Sequence, residues 1–407
     1  MTGSAVGQTE NHPYRWAVLA GVWLVYFCFG LTSGALPPLV SAIRTELALS
    51  ASAMGSILGA WQLIYIGSAI PLGMALDRVG PRRALLAAAL LIALSGALRA
   101  AAESHLSLFL AVAVFGTGGP LISIGAPKLV ALWFEGRERG LAIGLYTTGP
   151  ALGGIAALTL TNSVAMPLAG GNWRLVYLVY AGFVAVASAV WLLISAHPSF
   201  RASEALLVGV TRPPQREVFR DLLGSSPVRL ILLMSVGLFF FSHGLGNWLP
   251  EILRTTGLSV QEASRWAALP VAVGIASALT IPRLATAPRR YGVMLALLFC
   301  GACASLLLQS TAMPWIAVGL VLQGIAQSSM MAVAMLILVE QPQVGAARAG
   351  TAGGLFFSAA EIGGVLGPLS LGVLFDLTGG FSVALALLTA TMIALMLMVV
   401  RLRAANQ

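Results

Sequence analysis

The sequence predicts an all-α membrane protein: twelve transmembrane helices in two pseudo-symmetric six-helix bundles, with both termini cytoplasmic. Composition is the first reason. The 407 residues are 58% hydrophobic and 9% charged, whereas a soluble domain carries about 25% charged residues. So little charge cannot cover a water-facing surface. Apolar windows of about 20 residues, enough to cross a bilayer, then recur along the chain. The arginines gather in alternate loops, the bias that marks the cytoplasmic side.

Taken in order, the expected spans are 16–40, 52–75, 84–102, 106–132, 139–162 and 174–196, then 229–253, 263–285, 291–311, 314–339, 349–375 and 380–401. An even number puts both ends on one side. That side would hold Arg15; Arg78, Arg82 and Arg83; Arg137 and Arg139; Arg201, Arg212, Arg216, Arg220 and Arg229; Arg283, Arg289 and Arg290; Arg348; Arg401 and Arg403. The other side keeps Arg44, Arg99, Arg174, Arg254 and Arg265, and Lys128 falls inside a span. The richer side is the cytoplasm.

Residues 197–228 are the longest hydrophilic interruption, with Thr211-Arg-Pro-Pro and Glu217-Val-Phe-Arg-Asp-Leu-Leu. They are expected to form a cytoplasmic linker, partly an amphipathic helix at the membrane surface, between an N-terminal bundle 1–196 and a C-terminal bundle 229–407. The first 15 residues are polar and no small-residue cleavage pattern follows the first apolar run, so no removable signal peptide is expected.

The halves match weakly at an offset of about 209 residues, the signature of an internal repeat. Leu36-Pro37-Pro38-Leu39 answers Leu249-Pro250-Glu251-Ile252, Leu49-Ser50 answers Leu258-Ser259, and Pro81-Arg82-Arg83 answers Pro288-Arg289-Arg290. Gly116 answers Gly324, and Arg139-Gly140 with Gly144 answers Arg348-Ala-Gly350 with Gly353. Asp77 has no counterpart, since Thr286 stands near its place.

Several functions are disfavoured. The net charge of +9 is arginine in cytoplasmic loops, so no nucleic-acid partner is expected. Cys28, Cys300 and Cys303 lie in apolar runs, and Cys300-x-x-Cys303 has no second pair or histidine cluster beside it, so no metal is expected. No cofactor is expected either. A phosphate-binding G-x-x-x-x-G-K-[ST] loop is missing, which argues against ATP as driver. Four scattered histidines, His12, His105, His197 and His243, offer no catalytic constellation, so the chain is not expected to be an enzyme.

Between the second and third spans stands Gly73-Met-Ala-Leu-Asp77-Arg78-Val-Gly80-Pro-Arg82-Arg83. This pattern resembles the corresponding loop of the major facilitator superfamily. Gly170-Gly-Asn-Trp173-Arg174 and Gly363-Gly-x-x-Gly367-Pro368 extend the resemblance over essentially the whole chain. It implies a secondary transporter of two six-helix halves that works by alternating access, with solute sites near the midplane at their interface. It also implies a cytoplasmic latch made by Asp77 and Arg78. Asp77 would cap the start of the eleventh helix near Ala349-Gly350; its plainer role is loop solubility. Gly144, Gly149, Gly153 and Gly154 of the fifth span, with Gly363, Gly364 and Gly367 of the eleventh, are expected to form the seam between halves, because small residues let helices approach closely.

Ionisable or polar groups at mid-depth are costly and are the first candidates for function. Glu361 lies about 20 Å from either end of the expected eleventh span, too deep to snorkel. It is expected to take up and release a proton. His243, mid-depth in the seventh span, can bond a solute or relay a proton. Gln323 and Gln327 share one face of the tenth. Gln62 and Tyr65 of the second, beside Trp61, and Tyr146 of the fifth would add orienting hydrogen bonds. Asn247 with Trp248 would gate the outer end of the seventh. Lys128 either snorkels to the headgroups or attracts an anionic solute. Each of these groups has packing or interhelical bonding as its plainer role.

Proton-coupled symport of a small organic acid, through Glu361 with or without His243, is the leading expectation. The stretch Trp133-Phe-Glu-Gly-Arg137-Glu-Arg139-Gly-Leu-Ala-Ile-Gly144 is similar to subfamilies that carry small anions and organic acids, cyanate-type and monocarboxylate permeases among them. No arginine lies at mid-depth to grip nitrate or phosphate. Efflux of drugs or metabolites by proton antiport is the alternative. Gly149-Pro150-Ala-Leu-Gly153-Gly154 is similar to the antiporter motif, but Phe115-Gly-Thr-Gly-Gly119-Pro120 lacks the arginine of that family's fourth helix. The expected partners are a small-molecule solute, protons and the lipid bilayer. A monomer in the plasma membrane, the inner membrane of a bacterium, is expected.

Overall fold

A computed structural model describes residues 13–200 and 215–405, and among these the chain is helical with no strand. His12 and linker residues 201–214, with Arg201 and Arg212, lie outside the described residues, as do the side chains of Asp77, Arg137 and Arg216. Asp77's expected capping role therefore falls outside them too.

In chain order the helices are α1 (Arg15–Gly34), α2 (Val40–Glu46), α3 (Ala51–Leu58), α4 (Ala60–Val79), α5 (Pro81–Ala100), α6 (His105–Trp133), α7 (Gly136–Leu160) and α8 (Trp173–Ser195). Then come α9 (Gln215–Gly224), α10 (Ser226–Thr255), α11 (Val260–Ala267), α12 (Leu269–Thr280), α13 (Arg290–Leu307), α14 (Met313–Val339), α15 (Gly345–Thr378) and α16 (Ser382–Ala405). Among the described residues, 11 helical stretches are long and apolar enough to cross a membrane. The expected span 52–75 is not one of them. It is divided at Gly59 into α3 and α4, and Gln62, Ser68 and Asp77 lower the hydropathy of α4.

The chain forms two compact units, one over Met1–Leu39 and Gly67–Thr211, the other over Val40–Ile66 and Arg212–Gln407. In the first unit α7 packs on α1: a side chain at Gly153 would meet the Phe27 carbonyl and the Leu31 amide. Arg99 of α5 is 1% exposed; it donates to the Thr32 carbonyl at 3.0 Å and lies 5.5 Å from the Phe115 and Tyr177 rings. Trp191 of α8 donates to the Arg82 carbonyl at 3.1 Å.

In the second unit α15 packs on α10: a side chain at Gly363 would meet the Val236 carbonyl and the Phe240 amide. Phe27 and Leu31 stand to Gly153 as Val236 and Phe240 stand to Gly363, at the offset the sequence repeat predicts. These glycines were expected at the seam between halves. Gly149 and Gly153 instead serve α1, and Gly363 and Gly367 serve α10, each within its own unit. Nothing lies within 4 Å of a Cβ placed on Gly144 or Gly154.

The second unit also includes α3 and the start of α4. Gly55 meets the Pro368 carbonyl, Gly59 meets Val365, and Gly372 meets the Ala51 carbonyl. Asp376 accepts from the amides of Ala51 at 2.9 Å and Ser52 at 2.7 Å, holding a carboxylate against the positive end of α3. In the same unit Arg254 bonds Ser41 and pairs with Glu251 at 3.2 Å.

Candidate functional site around Gly364

Two stripes of α15 set the site. Gly363 and Gly367, four apart and so on one face, leave the backbone bare where α10 crosses. The adjacent stripe, Glu361, Gly364, Val365, Pro368 and Gly372, faces α3 and the start of α4. Glu361 stands at the middle of this 34-residue helix, about 25 Å from either end. It is 5% exposed.

Around Gly364 three expected site residues come together. A Cβ placed there would lie 2.7 Å from Glu361 Oε2, 2.9 Å from Gln62 Cγ and 3.4 Å from His243 Cδ2. Gln62 Nε2 and His243 Nδ1 are 3.2 Å apart, within hydrogen-bond reach. Glu361 Oε2 and Gln62 Oε1 are buried with no hydrogen-bond partner. Buried polar atoms are nearly always bonded, so two orphaned oxygens on side chains that close on Gly364 mark a place where a proton or a donor group would find partners.

Rings flank this cluster. Trp61 and His243 meet edge to face at 5.8 Å, as do Phe239 and His243 at 5.0 Å. Tyr65 lies 6.3 Å from Trp61, and Phe357 6.4 Å from Phe239.

The other expected residues lie elsewhere. Gln323 donates to Gln327 at 3.3 Å, as their four-residue spacing predicts, and Gln323 Oε1 is a buried orphan. Gln327 Nε2 is 3.6 Å from a Cβ placed on Gly246, one turn from His243 on α10. Asn247 Nδ2 is also an orphan. Trp248, expected beside it at a gate, is fully buried and donates to the Pro368 carbonyl at 2.8 Å. Tyr146 belongs to the first unit, where it is buried with its ring 5.2 Å from Tyr26. Arg78 is exposed at the end of α4, and Lys128 is half-buried in α6. Among the described residues no group of three His, Cys, Asp or Glu could hold a metal ion.

Sequence reading missed Phe239 and Phe357. Each precedes an expected polar residue by four positions, so helical periodicity alone could have flagged both. Gly364, expected where small residues let helices approach, does face Gln62, and its place three residues after Glu361 also puts it on the carboxyl's face.

The family model of the Major Facilitator Superfamily matches residues 22–368. The uncharacterized transporter YycB of Bacillus subtilis (strain 168) is 27% identical over 400 residues, 94% of each chain. A hexuronate transporter of the same organism is 24% identical over 367 residues, 85% of this chain and 84% of its own. The inward-facing, unoccupied crystal structure of a bacterial homologue of the human lysosomal transporter Spinster has a TM-score of 0.73 at 20% identity, covering 97% of this chain and 96% of that one. A family match over most of the chain, on an all-helical fold shared with a solved transporter, leads to one conclusion: this chain belongs to the Major Facilitator Superfamily of multi-pass membrane transporters.

Proposed function

We propose that the protein carries a small organic acid across the membrane together with protons, by alternating access. Glu361 takes up and releases the proton, while Gln62 and His243 hold the solute beside it. Tyr65, Gln323, Gln327 and Tyr146 supply further hydrogen bonds, Asn247 gates, and Asp77 with Arg78 latches the cytoplasmic side. One observation carries this reading: the unpartnered Glu361 Oε2, at the middle of a spanning helix, gathers with Gln62 and His243 around Gly364. The hexuronate transporter among its relatives supports an acidic solute.

In this reading α3 and α4 together make a twelfth crossing. Both termini are cytoplasmic, residues 197–228 link six-helix bundles 1–196 and 229–407, and the protein works as a monomer in the plasma membrane. The test is uptake into proteoliposomes under an imposed pH gradient. Organic-acid accumulation that follows protons inward supports symport. Accumulation driven by protons leaving favours the antiport alternative, and indifference to the gradient refutes coupling.

A further inference from the structure

The Gly364 cluster has two layers, and their order follows from how three helices are aligned. Helices α10 and α15 run parallel: Ser235 bonds the Phe356 carbonyl at 3.2 Å, and further along Trp248 bonds that of Pro368. The α3–α4 segment runs antiparallel to α15, since Ala51 meets Gly372, Gly55 meets Pro368, Gly59 meets Val365 and Gln62 meets Gly364. Phe357 and Phe239 each precede their polar neighbours, Glu361 and His243, by four residues. Tyr65 follows Gln62 by three on the segment that runs the other way. All three rings are therefore displaced from the polar groups in the same direction, by about 5–6 Å, one helical turn. The 6.4 Å separation of Phe239 and Phe357 agrees with a shared level.

These rings are not the ones that fill the core. Phe356, Phe241 and Trp248 do that, each at 0% exposure. Phe357, the very next residue after Phe356, is 39% exposed, and Phe239 and Tyr65 are half-buried. A ring layer retaining exposed surface, one turn from a layer with two orphaned polar atoms, matches a solute with a flat apolar body and one polar head. It does not match a polyhydroxylated chain. Every buried hydroxyl without a partner weakens binding, and the ring layer offers only the Tyr65 phenol as a side-chain partner.

We infer that the transported solute is an aromatic acid of benzoate size, its carboxyl sharing a proton with the acceptor oxygens of Glu361 and Gln62 beside His243, and its ring among Tyr65, Phe239 and Phe357. This rests on the organic-acid reading above and narrows it.

The test uses purified full-length protein in proteoliposomes, with radiolabelled benzoate uptake and competition by unlabelled benzoate, cyclohexanecarboxylate, acetate and glucuronate. Benzoate should compete about tenfold better than each of the others, because cyclohexanecarboxylate and acetate fill the ring layer poorly and glucuronate leaves hydroxyls unpaired there. Phe357→Leu and Phe239→Leu should each raise the half-saturation concentration for benzoate about tenfold while leaving its pH dependence unchanged. Thermal melting of the variants, with and without benzoate, separates lost binding from lost folding. Equal competition by cyclohexanecarboxylate, preference for glucuronate, or unaltered half-saturation in both folded variants overturns the inference. Proton-driven accumulation of acids with no preference for a ring refutes this inference and leaves the proposed function standing. Selective benzoate exchange indifferent to the pH gradient does the reverse.

Discussion

A buried carboxyl oxygen without a partner costs about 1–3 kcal/mol, and in the proposed mechanism that cost is removed at Glu361 whenever proton or solute arrives. Glu361→Gln keeps the size and one acceptor but cannot change its charge. Accumulation against a gradient should fall about tenfold or more, as expected for an intramembrane proton carrier, while solute-for-solute exchange persists. Wild-type uptake should rise as the outside is acidified, and the variant's uptake should stay flat. Counterflow and pH-jump uptake measure both, and gradient-driven accumulation in the variant would remove Glu361 from coupling. Gly364→Ala probes the same cluster from the backbone. Its methyl would stand 2.7 Å from Glu361 Oε2 and 2.9 Å from Gln62 Cγ, so these groups must shift. The half-saturation concentration should rise about tenfold, equivalent to about 1.4 kcal/mol, with the melting temperature nearly unchanged. That Glu361, His243 and Gln62 are each candidates was legible in the sequence, because polar groups are scarce at mid-depth. Their convergence on Gly364 was not, because it depends on the register in which α3 and α4 dock on α15.

At the scale of the element, the repeat survives in packing more clearly than in residue identity. Gly153 on α7 and Gly363 on α15 meet equivalent backbone atoms of α1 and α10. Alanine at either position forces a methyl into a carbonyl, and overpacking of this kind costs about 1–3 kcal/mol. Gly153→Ala and Gly363→Ala should lower the melting temperature by similar amounts. Gly144→Ala, with open space around it, should leave it unchanged or raise it, because alanine favours a helix by about 1 kcal/mol over glycine. Unequal losses would mean the two contacts are not equivalent. The glycines were visible in the sequence as helix-packing residues, but their partners were not, since a small side chain does not say which neighbour it admits. The sequence does not announce the Asp376 contact either, since a carboxylate near a helix end is most often simply solvated. Its bonds to the first amides of α3 give Asp376→Asn a definite expectation. Removing the charge should weaken the helix start by about 0.3–1 kcal/mol, seen as faster amide hydrogen exchange over residues 51–58.

At the scale of the whole molecule, hydropathy made the spans legible, with one exception that decides the topology. Eleven stretches qualify as crossings by themselves; α3 with α4 would be the twelfth, despite the break at Gly59. An odd count would put the termini on opposite sides, whereas the proposed twelve-crossing reading of the arginine distribution puts them on the same side. Single-cysteine labelling separates these cases once Cys28, Cys300 and Cys303 are replaced. Ser104→Cys, exposed between α5 and α6, and Thr311→Cys, exposed between α13 and α14, should react with a membrane-impermeant maleimide in intact cells. Cysteines appended to the two termini should react only in inside-out vesicles. If α3–α4 fails to cross, the N-terminus will label from outside while the C-terminus labels from inside. In that case Gln62 would lie in a segment that enters and leaves by one face. Its access to solute would then come from that face alone, and alternating access at Gly364 would need a different second wall.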